Sequence, residues 1–236
     1  MHRILYLTLF LLPLSASFMQ KRWEKAQVGD YLVLSSGKMI TLLSIHAIEE
    51  TSLFLEEIAI PRKETQELPW PLWVQKRAPG HSSWSMVEID RTTGDILNAY
   101  SFTQSAWLDL SSQHHWASAL LQLPWHPVPK EHLRRIGPAP LEGEPDRRKI
   151  WAPSPCFDGK KADLSFIALS STWPQDNSEL SDKQIILYFD QEIDFPFPFW
   201  IQAETSPVSL SFRAIDAGRG LISPKKKFPH RQKKQK

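Results

Sequence analysis

His46, His81, His114, His115, His126 and His132, the lone Cys156, and the acidic pairs Glu49–Glu50, Glu56–Glu57 and Asp190 with Glu192 are the side chains that metal binding, nucleophilic attack or acid–base work would draw on. Their spacing argues against each. His114 and His115 are adjacent, so on a helix they would point about 100° apart and could not easily face one ion. There is no HExxH, no paired CxxC and no acidic calcium loop. Cys156 lies in Pro155-Cys156-Phe157, with Asp158, Lys160 and Lys161 following; the lysines would lower a thiol pKa only if they stood close in space. A buried, inert thiol is the simpler reading. No GxSxG elbow is present, nor an SxxK motif with its companion elements. The carboxylate pairs read as residues of turns or strand ends, where charge is expected. Gly218-Arg219-Gly220 lacks both the third glycine and the following helix of a dinucleotide site. The expectation is therefore no catalytic set, no metal, no cofactor and a protein that is not an enzyme. A hydrolase built on Cys156 or on an unrecognised acid pair is the catalytic alternative.

The elements that would position these residues begin after an address label. His2 and Arg3 precede an apolar run from Ile4 to Leu14, and Ser15-Ala16-Ser17 supplies small residues for cleavage. The run is roughly half of the 20 or so residues that a membrane-crossing helix needs. Residues 1–17 are accordingly read as a signal peptide, with no cysteine placed to carry a lipid anchor. One cysteine cannot form an internal disulfide, so a chain with 42% hydrophobic residues must fold by burial. A bacterial periplasm or cell envelope is the expected compartment.

The formal charge of +2 conceals two unlike regions. Residues 225–236 hold seven Lys or Arg and no acid; setting these and Arg3 aside leaves 20 basic against 26 acidic residues in 18–224, a net of −6. Residues 18–224 read as one β-rich domain and 225–236 as a basic disordered tail. Lys225, Lys226, Lys227, Arg231, Lys233 and Lys234 are its candidate contacts to an anionic membrane surface. Nucleic acid is not expected as the partner of an exported chain.

From Val28 to Phe102 short apolar runs alternate with compact turns. Tyr31–Leu34, Met39–Ala47, Leu53–Ile60, Trp84–Ile89 and Ile96–Phe102 are predicted strands, with Gly37 and Gly94 providing left-handed turn positions. Ile40 and Leu42 share one side of their strand while Leu43 and Ile45 share the other; Leu53 and Leu55 likewise oppose Phe54, Ile58 and Ile60. Both faces of the sheet are thus partly apolar. Either helices and loops cover the second face, or it is an apolar surface open to a lipid or partner chain. Ser105–Leu123 has the spacing of one or two short helices ended by Pro124. Residues 124–155, rich in proline, form a linker or surface excursion. Leu164–Leu169, Gln184–Phe189, Trp200–Ala203 and Ser209–Ile215 are the later strands. Phe195–Ile201, FPFPFWI, is expected at an edge or in a loop because Pro196 and Pro198 interrupt ladder bonding.

The predicted fold is mainly β (α+β): a curved antiparallel sheet or open half-barrel with one or two helices packed on it. An export signal, a meander with two apolar faces, an intervening helical segment and further strands resemble the LolA-like periplasmic carriers of lipoproteins in order and composition. That resemblance implies a greasy cavity for acyl chains between sheet and helices. The proline-rich excursion and the basic tail depart from it. Ile40, Leu42, Leu53, Leu55, Trp84, Tyr100, Phe197, Phe199 and Trp200 are the candidate ligand-binding residues, and a lipid, a lipoprotein or another apolar molecule is the expected ligand. A structural or adhesive envelope protein docking through its basic tail is the non-carrier alternative.

Overall fold

Strands that are apolar on both sides leave neither face of a sheet to water, and that requirement organises the molecule. The structure, a computed structural model, describes residues 17–109, 116–204 and 210–228. Helix α1 (Phe18–Glu24) precedes a meander of β1 (Tyr31–Ser36), β2 (Met39–Ile48) and β3 (Ser52–Pro61). Helix α2 (Trp70–Gln75) leads into β4 (Ser83–Asp90), β5 (Ile96–Ser101) and the two-residue β6 (Ala106–Trp107). After α3 (Trp116–Gln122) come the short strands β7 (His126–Pro127), β8 (Cys156–Phe157) and β9 (Lys160–Lys161). The chain closes with β10 (Phe166–Thr172), β11 (Gln184–Asp190), β12 (Trp200–Ala203) and β13 (Leu210–Gly218).

Among the described residues these strands form one open, curved, mainly antiparallel sheet in the order β6-β5-β4-β3-β2-β1-β13-β12-β11-β10-β7. Strand β8 joins β13 in parallel and pairs with β9. The first long strand therefore meets the last, from Tyr31 opposite Gly218 to Ser35 opposite Arg213. The mainly β class, the open curved sheet and the helices packed on it are as the sequence predicts.

Side-chain alternation sorts the core into two faces. One face, here the inner face, carries Leu32 and Leu34 of β1, Ile45 of β2, Leu53 and Leu55 of β3, Leu187 and Phe189 of β11 and Ala203 of β12. Helix α1 covers part of it with Met19 and Trp23, and α3 with Ala117 and Leu121. The outer face splits into two covered regions. Over β1 to β4, α2 lays Trp73 and Val74 on Val33, Ile40, Leu42, Ile58 and Ile60. Over β10 to β12, the excursion 124–155 lays Val128, Leu133 and Trp151 on Ala168, Tyr188 and Trp200. The second face is thus covered by helix and loop, and the proline-rich stretch serves as packing.

Two helices escape the sequence pattern. In α1, Ser17 closes a capping box: its Oγ accepts from Gln20 N at 3.2 Å, while Gln20 Oε1 accepts from Ser17 N at 2.9 Å. Helix α2 starts beside Pro69 and carries Pro71 in its first turn, where a missing N–H costs nothing. Of the helical stretch expected over 105–123, the described part contains only α3, with β6 ahead of it; His114 and His115 lie outside the described residues. Of Phe195–Ile201, residues 195–199 form a loop, the second of the two expected placements, and the segment is not at an edge. Phe195, Phe197 and Phe199 are buried on the inner face, and Trp200 opens β12 between β11 and β13. The prolines interrupt bonding only before that strand: Phe199 N already donates to Tyr188 O at 2.7 Å.

Gly94 shows how turn and helix are locked together. Its φ is +78°, and a Cβ there would stand 2.7 Å from Ser118 Cα and 2.8 Å from Leu121 Cδ1 of α3. A side chain would meet both backbone strain and a helix that cannot yield. Gly94→Ala is expected to destabilise the fold by about 2 kcal/mol or more, read as a lower denaturant midpoint with an unchanged slope.

Candidate functional site

Strand β3 contains the adjacent acids Glu56 and Glu57 in its middle, not at its end as the sequence suggests. Alternation sends them to opposite faces, and they meet opposite fates. Glu56 points outward and has 0% exposure. Its Oε1 accepts from Trp84 Nε1 at 2.7 Å and from Ser223 Oγ at 2.7 Å; its Oε2 accepts from Ser44 Oγ at 3.3 Å. A carboxylate with three donors in a dry setting is a structural clasp. Half-buried His46 stands near it, and burial holds the imidazole pKa below its ordinary value, opposed by Glu56 and reinforced by Lys227.

The donor Ser223 belongs to a segment that runs from β13 across the outer face. Lys225 Nζ lies 4.6 Å from the centre of the Trp84 ring and 4.9 Å from that of Phe102. Lys227 pairs with Glu49 and sits 5.3 Å from the Phe54 ring; Phe228 packs between Phe54 and Trp107, with ring centres 5.5 and 5.2 Å away. Cation–π contacts of this kind contribute about 0.5–1 kcal/mol each near the surface. The disorder expected from Lys225 onward does not hold for Lys225–Phe228, because aromatic rings on β3 to β6 give these residues a seat. Lys226 is exposed, and Arg231, Lys233 and Lys234 lie outside the described residues.

Glu57 points inward, into a groove between the sheet and the two helices α1 and α3. One section, of about 340 Å3, is lined by Thr41, Glu57, Ser85, Val87, Ala99 and Asp109 among others. The second, of about 210 Å3, is bounded by apolar residues throughout, including Met19, Trp23, Trp173, Ile185, Leu187 and Phe197. Leu43, Leu55, Trp116, Ile201 and Phe212 line both, so the two sections share a floor that crosses from β2 and β3 to β12 and β13. Each section exceeds the roughly 150 Å3 that accommodates benzene in a protein core, and together they fall in the range of small-molecule sites, about 300–1,000 Å3. Glu57 stands opposite Leu43 on β2 and Ser85 on β4. Burial pushes its carboxyl pKa above the ordinary value. The side chain is half-buried, and among the described residues its carboxylate has neither a hydrogen-bond nor an ion-pair partner.

The predicted ligand-binding residues do not converge. Leu53, Leu55, Phe197 and Phe199 are on the inner face, and of these Leu55 and Phe197 line the groove. Ile40, Leu42 and Trp84 are buried on the outer face beneath α2 and the C-terminal segment; Tyr100 stacks there against Phe102 and Trp107. Trp200 is on the outer face too, 4.0 Å between ring centres from Trp151 under the excursion. Of the groove's lining only Leu55 and Phe197 were expected; Glu57, Leu43, Ile201 and Phe212 are among those missed. A signal for Glu57 was present: two adjacent acids inside an apolar strand must put one on each face.

The remaining chemistry-bearing residues are dispersed. His81 Nδ1 is 2.8 Å from Ala78 O, and its ring packs on Trp84; His126 and His132 are exposed. Cys156 is half-buried on β8. Asp190 caps a turn, accepting from Glu192 N and Ile193 N at 2.9 and 2.6 Å. Among the described residues no three His, Cys, Asp or Glu side chains form a group that would hold a metal.

A family model described as CT021 protein matches residues 41–163. The chain belongs to the CT021 family. The matched span runs from β2 past β9, taking in the Glu57 strand, α3 and the proline-rich excursion. The chain is also similar to the 2.0 Å structure of the hypothetical protein CT021 from Chlamydia trachomatis, with a TM-score of 0.64, 19% identity, and coverage of 91% of this chain and 98% of that one. At that identity the likeness is one of fold. No curated protein matches the chain. Among the described residues no helix is long and apolar enough to cross a membrane.

The two neighbouring acids should respond oppositely to removal. Glu56→Ala leaves Trp84 Nε1 and two hydroxyls without their acceptor and is expected to destabilise the fold by about 3 kcal/mol, measured by chemical denaturation. For Glu57 the folded state raises the pKa, so the native chain holds the proton more tightly than the unfolded one and ionisation works against folding. The stabilising term is fully present below the unfolded value of about 4.3 and is lost as pH rises through the folded value. Glu57→Gln is therefore expected to melt above the parent near neutral pH, with the difference vanishing below about pH 4, as followed by thermal scans at several pH values.

Proposed function

We propose that this protein is an exported, non-enzymatic binder of an apolar ligand, a lipid or an acyl chain, held in the groove between the inner sheet face and helices α1 and α3. One observation carries the reading: the groove has a section bounded only by apolar side chains and continuous with a wider section through Leu43, Leu55, Ile201 and Phe212. Apolar surface left unfilled in a sheet–helix interface forfeits dispersion contacts and remains costly until something apolar occupies it. The resemblance to LolA-like carriers and the N-terminal export pattern favour the same reading, with the periplasm or cell envelope as its setting. The basic tail is a weaker basis for docking to anionic surfaces, since Lys225 and Lys227 are engaged by the chain's own rings and by Glu49.

Two measurements test the reading. Protein purified from cells under mild conditions is expected to release a lipid on solvent extraction, identified by mass spectrometry, and to bind a fluorescent fatty-chain probe. Leu43→Trp, which places a larger ring on the half-buried floor shared by both sections, is expected to weaken probe binding about tenfold or more, corresponding to ~1.4 kcal/mol or above, while circular dichroism stays unchanged. A chain that carries no lipid and binds no apolar probe is not a carrier of this kind.

A further inference from the structure

The groove has a polar feature that an acyl chain alone does not explain. Glu57 lies in the middle of β3 between Leu43 on one neighbouring strand and Ser85 on the other. Thr41 and Ser85 line the same section beside Glu57, and no Lys, Arg or His among the described residues lines either section. The groove thus has an acidic end and an apolar end joined by one floor. An anionic head, whether carboxylate or phosphate, would meet like charge at the half-buried Glu57. A neutral hydroxyl would satisfy the carboxylate by one hydrogen bond. An ammonium group would supply several donors and the opposite charge together.

Resting on the apolar-ligand reading above, we infer that the occupant is an amphiphile with a cationic amine head, its head at Glu57 and its chain along Leu43, Leu55 and Phe212 toward Trp23 and Trp173. The rise in the Glu57 pKa caused by burial is the free-state counterpart: the carboxylate is destabilised until a cation arrives. Head and chain are recognised at opposite ends, so the two contributions are separable by experiment.

Dodecylamine, dodecanol and dodecanoate, each kept below its micelle concentration, are titrated into the folded full-length protein carrying diphenylhexatriene near neutral pH, and dye displacement is followed. The amine is expected to bind about tenfold or more tightly than the carboxylate, as a hydrogen-bonded charge pair predicts. Glu57→Gln, checked for folding by circular dichroism, is expected to erase most of that preference by weakening the amine, and Leu43→Trp to weaken all three chains alike. Equal affinities for the three heads, or a preference that survives Glu57→Gln, overturns the amine assignment and leaves the apolar reading standing. If the dye binds but none of the three chains displaces it or binds directly by calorimetry, the amine assignment falls; if the protein takes up neither the dye nor any of the three, the apolar reading falls with it.

Discussion

The pairing of β1 with β13 is the constraint on which the rest of the molecule depends. Among the described residues it is the one ladder that joins the N-terminal meander to the C-terminal strands, and it joins residues from nearly opposite ends of the described chain. Strand β1 is fit for a central place because it is buried on both sides: Leu32 and Leu34 serve the inner core, Tyr31 and Val33 the outer one. A register shift between Val33 and Leu34 relaxes the ladder and adds local twist. At its far end side chains occupy the space beside Gly218, since a Cβ there would stand 2.0 Å from Asp158 Oδ1 and 2.7 Å from the Tyr31 ring. Contacts so distant in sequence form late, after much chain entropy has been lost. The groove inherits that dependence. Its floor takes Leu43 and Leu55 from one side of the junction and Ile201 and Phe212 from the other, so no half of the sheet contains the site.

Covering the outer face solves the problem that the two-sided strands create, and different materials do it in each half. Helix α2 is only six residues long, yet Trp73 and Val74 suffice to shield β1 to β3. Farther along, irregular chain does the same work: Trp151 sits against Trp200 and Tyr188, with Arg134 5.3 Å from the Trp151 ring centre. The C-terminal segment completes the cover, bringing cations to rings and to Glu49. The contrast between an acidic body and a basic end, plain in the composition, is thus partly neutralised within the fold. Glu56 fastens this arrangement, since its acceptors hold β2, β4 and the C-terminal segment at one point.

Much of the sheet was legible because alternation is a local signal. The strands expected at Tyr31, Met39, Leu53, Trp84, Ile96, Gln184 and Trp200 all exist, and Gly94 is left-handed as its turn required. What remained illegible is what depends on partners. Helices α1 and α2 are too short for a clear periodicity and are held by a serine cap and by tertiary packing. The groove was half legible. Alternation places Leu53 with Leu55 and Ile40 with Leu42, but which pair faces the helices depends on the covering elements, and so the nine expected binding residues divided between two faces. Adjacent acids read as residues of a strand end even though the strand predicted over Leu53–Ile60 encloses them, and the long ladder on both sides of β3 shows them to be internal.

Glu56 and Glu57 together distinguish two reasons for burying a charge. Desolvating a carboxylate is costly, and a fold that tolerates it normally supplies donors. Glu56 receives a full set, from an indole and two hydroxyls, and its role is complete without any other molecule. Glu57, one residue away on the same strand, is half-buried; burial raises its pKa, and it has no donor among the described residues. Packing alone would favour leucine or valine there, as at Leu43 opposite it and Val87 beside it on the same inner face. The two acids therefore differ in exposure and in completion: one carboxylate is fully buried and satisfied by the chain, and the other is half-buried, facing a groove large enough to admit what would satisfy it.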